Sequence, residues 1–304
     1  MTNNKDRVIS EIVEKVLQVS PKSISQILDK GITNEVFIVD LSDSKVILRI
    51  SPEPNTSQFE KEQWEMEEAN KLGIQLPKVI SVGNYCGTIY MILEYIEGLH
   101  GTDPSLNRRQ IWKQLGTYAK LIHSVPTDGF GDHMISPGKF NGKWQDYIDY
   151  DIQSLTQEDK LIEMGVLTLK QSEKIKKIFE HLRDEHFTFG LCHGDLSLKN
   201  VISNKDDKVF LLDWGSSESQ IVPHFDIVEV LQSSFHFDFH DKNFLAFING
   251  CGLSEEEFMS IKPNVDALIL LRAVDRLRWA LDKKPSAIEH FRENLNKILN
   301  YLEI

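Results

Sequence analysis

Within residues 192–215, CHGDLSLKNVISNKDDKVFLLDWG, Asp195 stands five positions before Asn200, and a second acid, Asp213, closes a short apolar run. NVIS and KVFLLD read as short strands and SNKDDK between them carries turn residues, so the segment is expected to form a hairpin about residues 205–206. Such a hairpin puts Asn200 and Asp213 at the same end, with Asp195 just ahead in a short loop. Two hard oxygen donors at a loop end suit Mg2+, which takes one or two protein oxygens plus substrate phosphates and keeps several waters. The remaining carboxylate, Asp195, is then free to accept a proton from a hydroxyl nucleophile. These are the parts of phosphoryl transfer to an alcohol. Any one of these residues alone is ordinary in a turn, where Asp, Asn and Ser make local hydrogen bonds. The combined pattern, HGDxxxxN followed by an apolar strand and DW, is far more restrictive.

The surrounding elements must position this segment. Residues 5–18 place Val8, Ile12 and Val16, with Ile9 and Val13, on one helical face, and Pro21 ends that helix. Residues 24–50 change period to three short strand runs, broken at GITN and SDS. SQFEKEQWEMEEANK, residues 57–71, reads as an acidic helix; strands return in LPKVISVGNYCGTIYMILEYIEG, with turns expected at GN and CG. Beyond Gly98 helical patterns dominate. Ile111, Leu115, Ala119 and Ile122 form a helical stripe, residues 126–143 read as loop, and residues 144–186 as helices. Ser254 and Glu257 make a capping box, and NVDALILLRAVDRLRWALD is a core helix with an Arg-bearing rim. The expectation is an α+β protein with a small strand-rich N-terminal lobe, residues 1–95, and a larger helical lobe, residues 96–304.

Composition narrows the function classes. The chain has 304 residues, 41% of them apolar, enough for a sizeable core. A formal charge of −12 argues against nucleic acid or an anionic membrane surface as partner and is compatible with a cationic small substrate. No apolar run approaches the ~20 residues that span a bilayer. Cys86, Cys192 and Cys251 are widely spaced and form neither a disulfide framework nor a zinc knuckle. With no signal-peptide pattern at the N-terminus, a cytoplasmic location is expected.

HGDLSLKN followed by LLDWG resembles the aminoglycoside phosphotransferase and choline kinase family, relatives of the protein kinases, whose corresponding runs are HRDxxxxN and DFG. The resemblance covers most of the chain in segment order and is strongest over residues 192–230. It implies a protein-kinase-like two-lobed fold with an antiparallel N-terminal sheet. It implies Asp195 as catalytic base, Asn200 and Asp213 as Mg2+ ligands, and His193 and Asp226 as supports of the catalytic loop. Arg49 takes the place of the phosphate-contacting cation, with Lys45 as competitor. Its partner is Glu60 or Glu62, the family register favouring Glu62. Gly31, Thr33 and Asn34 correspond to the phosphate-covering loop. Backbone groups around Glu94 and Tyr95 would meet the adenine edge. The donor is ATP or GTP.

For the acceptor, an aminoglycoside-type antibiotic comes first. A macrolide, or a metabolite such as choline, homoserine or a thiosugar, is the alternative. From another class, a nucleotide-binding regulator without transfer activity remains open. Asp146, Asp149, Asp151, Glu158, Asp159, Glu229, Asp238 and Asp241 could wall a polycationic sugar, and Trp144, Tyr147, Phe235 and Trp279 could cage a quaternary ammonium. Most such acids are solvated surface and most such aromatics are core. His236 and His240 have the i, i+4 spacing of a metal pair but lack its acidic context.

Overall fold

The computed structural model describes residues 2–27 and 34–304. In chain order, α1 (Thr2–Leu17), β1 (Ser23–Ile27), β2 (Glu35–Asp40), β3 (Lys45–Ser51), α2 (Ser57–Lys71), β4 (Val79–Tyr85), β5 (Thr88–Glu94) and β6 (Leu99–His100) come first. Then follow α3 (Arg108–Ile122), β7 (Phe130–Ser136), β8 (Lys139–Gly142), α4 (Trp144–Ser154), α5 (Lys160–Glu163), α6 (Leu169–Asp184) and β9 (Thr188–Cys192). The remainder is β10 (Val201–Ser203), β11 (Val209–Leu211), β12 (Glu218–Val222), α7 (His224–Phe235), α8 (Lys242–Gly250), α9 (Glu255–Lys283) and α10 (Ile288–Tyr301). Among the described residues no helix is long and apolar enough to cross a membrane.

The protein is α+β with an antiparallel sheet near its N-terminus and mainly helical elements after it, as expected. Packing divides the chain into two compact units. One joins Met1–Leu106 to Leu198–Gly215, and the other joins Asn107–Ser197 to Ser216–Ile304. The expected boundary between residues 95 and 96 is a cut along the chain, while packing groups the hairpin of β10 and β11 with the first unit.

In the first unit an antiparallel sheet runs in the order β1-β2-β3-β5-β4. The apolar stripe of α1 covers it: Ile9, Ile12 and Val13 are fully buried with Phe37, Val39, Val46, Leu48, Tyr90 and Ile92. These strand residues alternate along β2, β3 and β5, so one face of the sheet supplies them all. Truncating Ile12 to Ala removes a fully buried side chain, so a loss of about 2–5 kcal/mol is expected in urea unfolding. An unchanged midpoint would mean that α1 does not hold the sheet. The turn expected at Gly83–Asn84 is not there: both lie within β4, and the reversal falls at Cys86–Gly87. Gly83 pairs with Tyr90, and a Cβ on it would lie 2.6 Å from the Tyr90 hydroxyl, so close approach explains this glycine. A second small sheet, β11-β10-β6, has Val201 opposite Leu211, which centres the hairpin on residue 206, close to the expected 205–206.

The second unit contains a sheet the sequence did not reveal, in the order β8-β7-β12-β9. Residues 126–143, expected as loop, include the hairpin of β7 and β8, which turns at Gly138 with φ +74°. Helix α3 packs on α8, where Gly116 and Gly250 let the backbones approach. The long α9 begins at the Ser254–Glu257 capping box and buries Val265, Leu268, Ile269, Leu271, Val274 and Leu277.

Candidate active site

The first unit builds a cation–carboxylate cluster. Along β3, Val46 and Leu48 face the α1 side, so Arg49 projects to the other face, over which α2 lies. There its guanidinium forms a two-pronged pair with Glu62, Nη1 to Oε2 and Nη2 to Oε1 at 3.3 Å, and sits 5.2 Å above the Phe59 ring. Glu62 is fully buried. The alternative Glu60 is held by the Thr56 hydroxyl, and Lys45 pairs with Asp40 at 3.2 Å and lies over the Tyr95 ring. So Arg49 and Glu62 are the pair that forms.

Asp213 follows β11. The Leu212 N–H donates to the Asn200 carbonyl at 2.9 Å, closing the hairpin and setting Asn200 beside the Leu212–Asp213 strand end. Asp213 has φ +55°, a left-handed backbone that Asp tolerates better than bulky residues do. Its carboxylate is half exposed and lies 3.9 Å from Arg49 Nη2. Gln58 of α2 donates to the Gly215 carbonyl at 3.1 Å, tying the chain after Asp213 to the helix that carries Glu62. Glu94 donates its N–H to the Lys78 carbonyl, and its carboxylate accepts the Lys78 N–H. That backbone donor is therefore committed within the sheet edge. Asn34 precedes β2. Gly31 and Thr33 lie outside the described residues.

The second unit builds the loop that carries Asp195. β9 delivers the fully buried His193, whose ring Nδ1 accepts the Asp195 N–H at 3.3 Å. Gly194 has φ +76°, and a Cβ there would meet the Ser216 carbonyl at 2.3 Å, so the loop requires glycine twice over. Asp226 organises the whole turn. It lies in the first turn of α7, one turn in from the helix cap at Pro223, and is fully buried. Its Oδ1 accepts the Gly194 N–H at 2.8 Å, and its Oδ2 accepts the His193 N–H at 3.2 Å and faces His123 Nε2 at 2.9 Å. Burial alone pushes this carboxyl up, but the hydrogen bond and charge of His123 and the Gly194 amide hold it below its ordinary value. His123, at the end of α3, carried no motif that would have marked it.

His123, Cys192 and Asp226 present ligand atoms within 4.8 Å of one another. They do not suit a metal. Burial pushes the Cys192 thiol far up, and Asp226 already accepts the loop's N–H groups. His236 caps α7 with a left-handed backbone, so it shares no helix face with His240.

The second unit also holds a cavity of about 590 Å³. One wall is β7, β8 and the start of α4, with Asp132, Lys143 and Asp146; another is α9, with Arg272, Asp275 and Arg276. Between them β12 contributes Glu218 and Gln220. Glu218 pairs with Cys192 in β9, three residues before Asp195, so one lining residue stands opposite the strand that leads into the Asp195 loop. Of the acids expected to face an acceptor, Asp146 lines this cavity and the others are otherwise engaged or apart from it. Glu229 pairs with Arg272 at 2.7 Å, Asp149 lies 3.8 Å from Arg183, and Asp241 caps α8. Asp238 accepts the His240 N–H, and Glu158 is exposed. Of the aromatics, Tyr147 lines the cavity; Trp144 is core, Phe235 packs on Trp112 and Trp279 is exposed. The cavity residues of α9 had one sequence signal, charges at helical spacing interrupting an apolar run.

Asp151 and Asp159 face Arg278, at 3.5 and 2.7 Å. Burial first, then the neighbouring Asp275, push the Asp151 carboxyl up to about 7 against the pull of Arg278. A raised folded value means that the contribution of Asp151 to stability is greatest below the ordinary value of 3.8 and is lost as pH rises through about 7. Each unit is worth about 1.4 kcal/mol, so the change is on the order of a few kcal/mol. Asp151→Asn is expected to flatten this dependence and to unfold at higher urea than the parent at pH 8. A parent with a flat profile from pH 5 to 8 would contradict it.

The profile of a family described as "Phosphotransferase enzyme family" matches residues 25–250. A probable ketoamine kinase of Staphylococcus aureus is 27% identical over 195 residues, 60% of this chain and 65% of that protein. The chain thus matches somewhat under two thirds of that relative's length. Among solved structures, the GDP complex of aminoglycoside 2'-phosphotransferase-IIIa superposes with a TM-score of 0.71 at 14% identity, covering 98% of this chain and 99% of that one. A putative fructosamine-3-kinase from Haemophilus somnus 129PT gives 0.62 at 17% identity, over 96% and 97%. At these identities the likeness is one of fold.

Proposed function

The chain belongs to the phosphotransferase enzyme family, and from that premise we propose that it is a small-molecule kinase, moving the γ-phosphoryl group of ATP or GTP to a hydroxyl of a small acceptor. The observation that carries this reading is the buried Arg49–Glu62 pair with Asp213 at 3.9 Å. A guanidinium held rigid by a buried carboxylate is poised to grip phosphate oxygens by its remaining N–H groups. The carboxamide of Asn200 and the half-exposed carboxylate of Asp213 are hard oxygen donors and fit Mg2+, which completes its shell with water and phosphate. When bound, that ion neutralises charge on the phosphate oxygens.

Asp195 accepts a hydrogen bond from the acceptor hydroxyl and aims it. The acceptor oxygen then bonds to the γ-phosphorus while the bond to the bridging oxygen breaks. The nucleoside diphosphate leaves and the hydroxyl proton passes to Asp195. His193 and Asp226 position the loop and touch no reactant. Since the donor is a cytosolic metabolite, we place the enzyme in the cytoplasm.

For the acceptor, the S. aureus relative is named a probable ketoamine kinase. Two of the fold relatives are described as complexes with hygromycin B and kanamycin. Both kinds of molecule are amine-bearing sugars. The sequence match favours a ketoamine, a sugar joined to an amine, over an aminoglycoside, because 14–17% identity supports fold alone. A coupled nucleotide-turnover screen over ketoamines, aminoglycosides, macrolides and small amino alcohols tests the reading. Acceptor-dependent release of diphosphate with a sugar amine is expected. Nucleotide-induced thermal stabilisation with no transfer to any acceptor would instead make the protein a non-catalytic nucleotide-binding regulator.

A further inference from the structure

Behind one wall of the cavity in the second unit lies a buried charge cluster that the proposed chemistry does not use. On α4, Tyr147 and Asp151 are one turn apart and so share a helix face. On α9, Asp275 and Arg278 do the same. The two faces meet in two cross-pairs. The first joins the Tyr147 hydroxyl to the Asp275 carboxylate, and both residues line the cavity. The second places Asp151 Oδ1 3.5 Å from Arg278 Nε. Asp151 is fully buried, so this pair lies behind the wall that the first one forms.

The buried pair is short of positive charge. Arg278 gives its short bond to Asp159, Nη2 to Oδ2 at 2.7 Å, and Asp159 Oδ1 also accepts the Leu161 N–H. Neither oxygen of Asp151 accepts a hydrogen bond. Arg272 and Arg276, earlier on α9, are turned to Glu229 at 2.7 and 3.5 Å. Helix α6, which also packs on α4, sends Arg183 toward Asp149, at 3.8 Å. Asp151 therefore faces two carboxylates, Asp159 and Asp275, and one guanidinium that is already committed. A buried carboxylate without a hydrogen bond is too costly to keep ionised, so it holds a proton. Burial first, then the charge of Asp275, put the point at which it lets go at about 7.

The coupling runs both ways. An ammonium seated against Asp275 would offset the charge that keeps Asp151 protonated. We propose that Asp151 is a positioning residue for a cationic acceptor: it releases its proton when an ammonium binds at Asp275, and the carboxylate so formed strengthens the hold on that ammonium. The inference rests on reading this cavity as the acceptor side of the kinase. It couples amine binding to proton release and makes the affinity rise with pH through the neutral range, where Asp151 ionises.

Calorimetric titration of the full chain with 1-amino-1-deoxyfructose, at pH 5.5, 6.5 and 7.5 in two buffers of different ionisation heat, reads affinity and proton release together. In the parent, affinity should rise on the order of 10-fold from pH 5.5 to 7.5, the scale of unit charges about one helical turn apart near a protein surface. Protons should be released at pH 6.5. Asp151→Asn should bind like the parent at pH 5.5, lose the rise and release no protons, whereas loss of a merely structural residue would weaken binding equally at every pH. Asp275→Asn is the second variant. It should bind more weakly at all three pH values and release no protons. A flat affinity in the parent would overturn the proposal. So would a rise with pH that persists in Asp151→Asn, or no binding of the amine to protein that still binds nucleotide. Proton-coupled binding without phosphate transfer to the amine would count against the kinase reading and leave this inference standing. Transfer to the amine with a KM independent of pH would do the reverse.

Discussion

Asp195→Asn should lower kcat by at least ~10²-fold, the scale of a lost general base, while leaving nucleotide affinity nearly unchanged. The substitution keeps size and can still hydrogen-bond an acceptor hydroxyl, but it cannot take the proton. The structure keeps the two effects apart. Asp195 belongs to a loop of the second unit whose backbone is held by His193 and Asp226, whereas Arg49, Glu62, Asn200 and Asp213 belong to the first unit. The Arg49–Glu62 pair is made within the first unit, between β3 and α2. Turnover by a coupled assay at saturating acceptor, and nucleotide affinity by equilibrium titration, separate the outcomes. Near-normal turnover would remove Asp195 from its proposed role. A parallel loss of nucleotide affinity would point to Asp195 organising the phosphate side instead.

How much of this was legible in the residues depended on local signal strength. The hairpin of β10 and β11 centres on residue 206, against an expected 205–206, because strand runs and a polar turn of fixed length set the register. The acidic helix α2 was likewise bounded at both ends. Between its acids Glu60 and Glu62 the family register favoured Glu62, and the structure decides it: the two stand two apart and so point to different faces of the helix, and Glu62 is the one that faces the sheet. The sheet β8-β7-β12-β9 was not legible. FGDHMIS and KFNG are short, polar and glycine-containing, ESQIV is only five residues long, and none shows a clean alternation; they become strands through pairing. The cavity hidden with that sheet therefore also went unseen, apart from Asp146 and Tyr147 on α4. The acids Glu229, Asp151 and Asp159 looked like solvated surface because their partners, Arg272, Arg276 and Arg278, are more than 40 residues away in sequence.

Asp226→Ala is expected to have the largest effect on stability, about 3–5 kcal/mol, the cost of stripping the partner from a buried charged group. Three donors lose their acceptor together: the N–H groups of His193 and Gly194, and His123 Nε2. Each buried, unpaired donor costs about 1–3 kcal/mol, and water cannot replace the carboxylate without opening the site. Against a typical total of about 5–15 kcal/mol, the variant stays folded but marginal. Turnover per folded molecule should fall as well, because the amides that fix Asp195's loop are released, although Asp226 itself meets no reactant. Asp226→Asn is the sharper companion. It fills the same volume and can still accept from one amide, but turns an NH2 toward another donor, so an intermediate loss is expected. pH gives an independent check. Because the Asp226 carboxyl is held below its ordinary value, its contribution is complete above that value and is lost as pH falls through the lowered one. The acid limb of the parent's stability profile should accordingly be shallower in Asp226→Asn. Urea midpoints and kcat for the parent and both variants between pH 3 and 8 make the comparison. An Ala variant as stable as the parent would show that the Asp226 hydrogen bonds do not hold the loop.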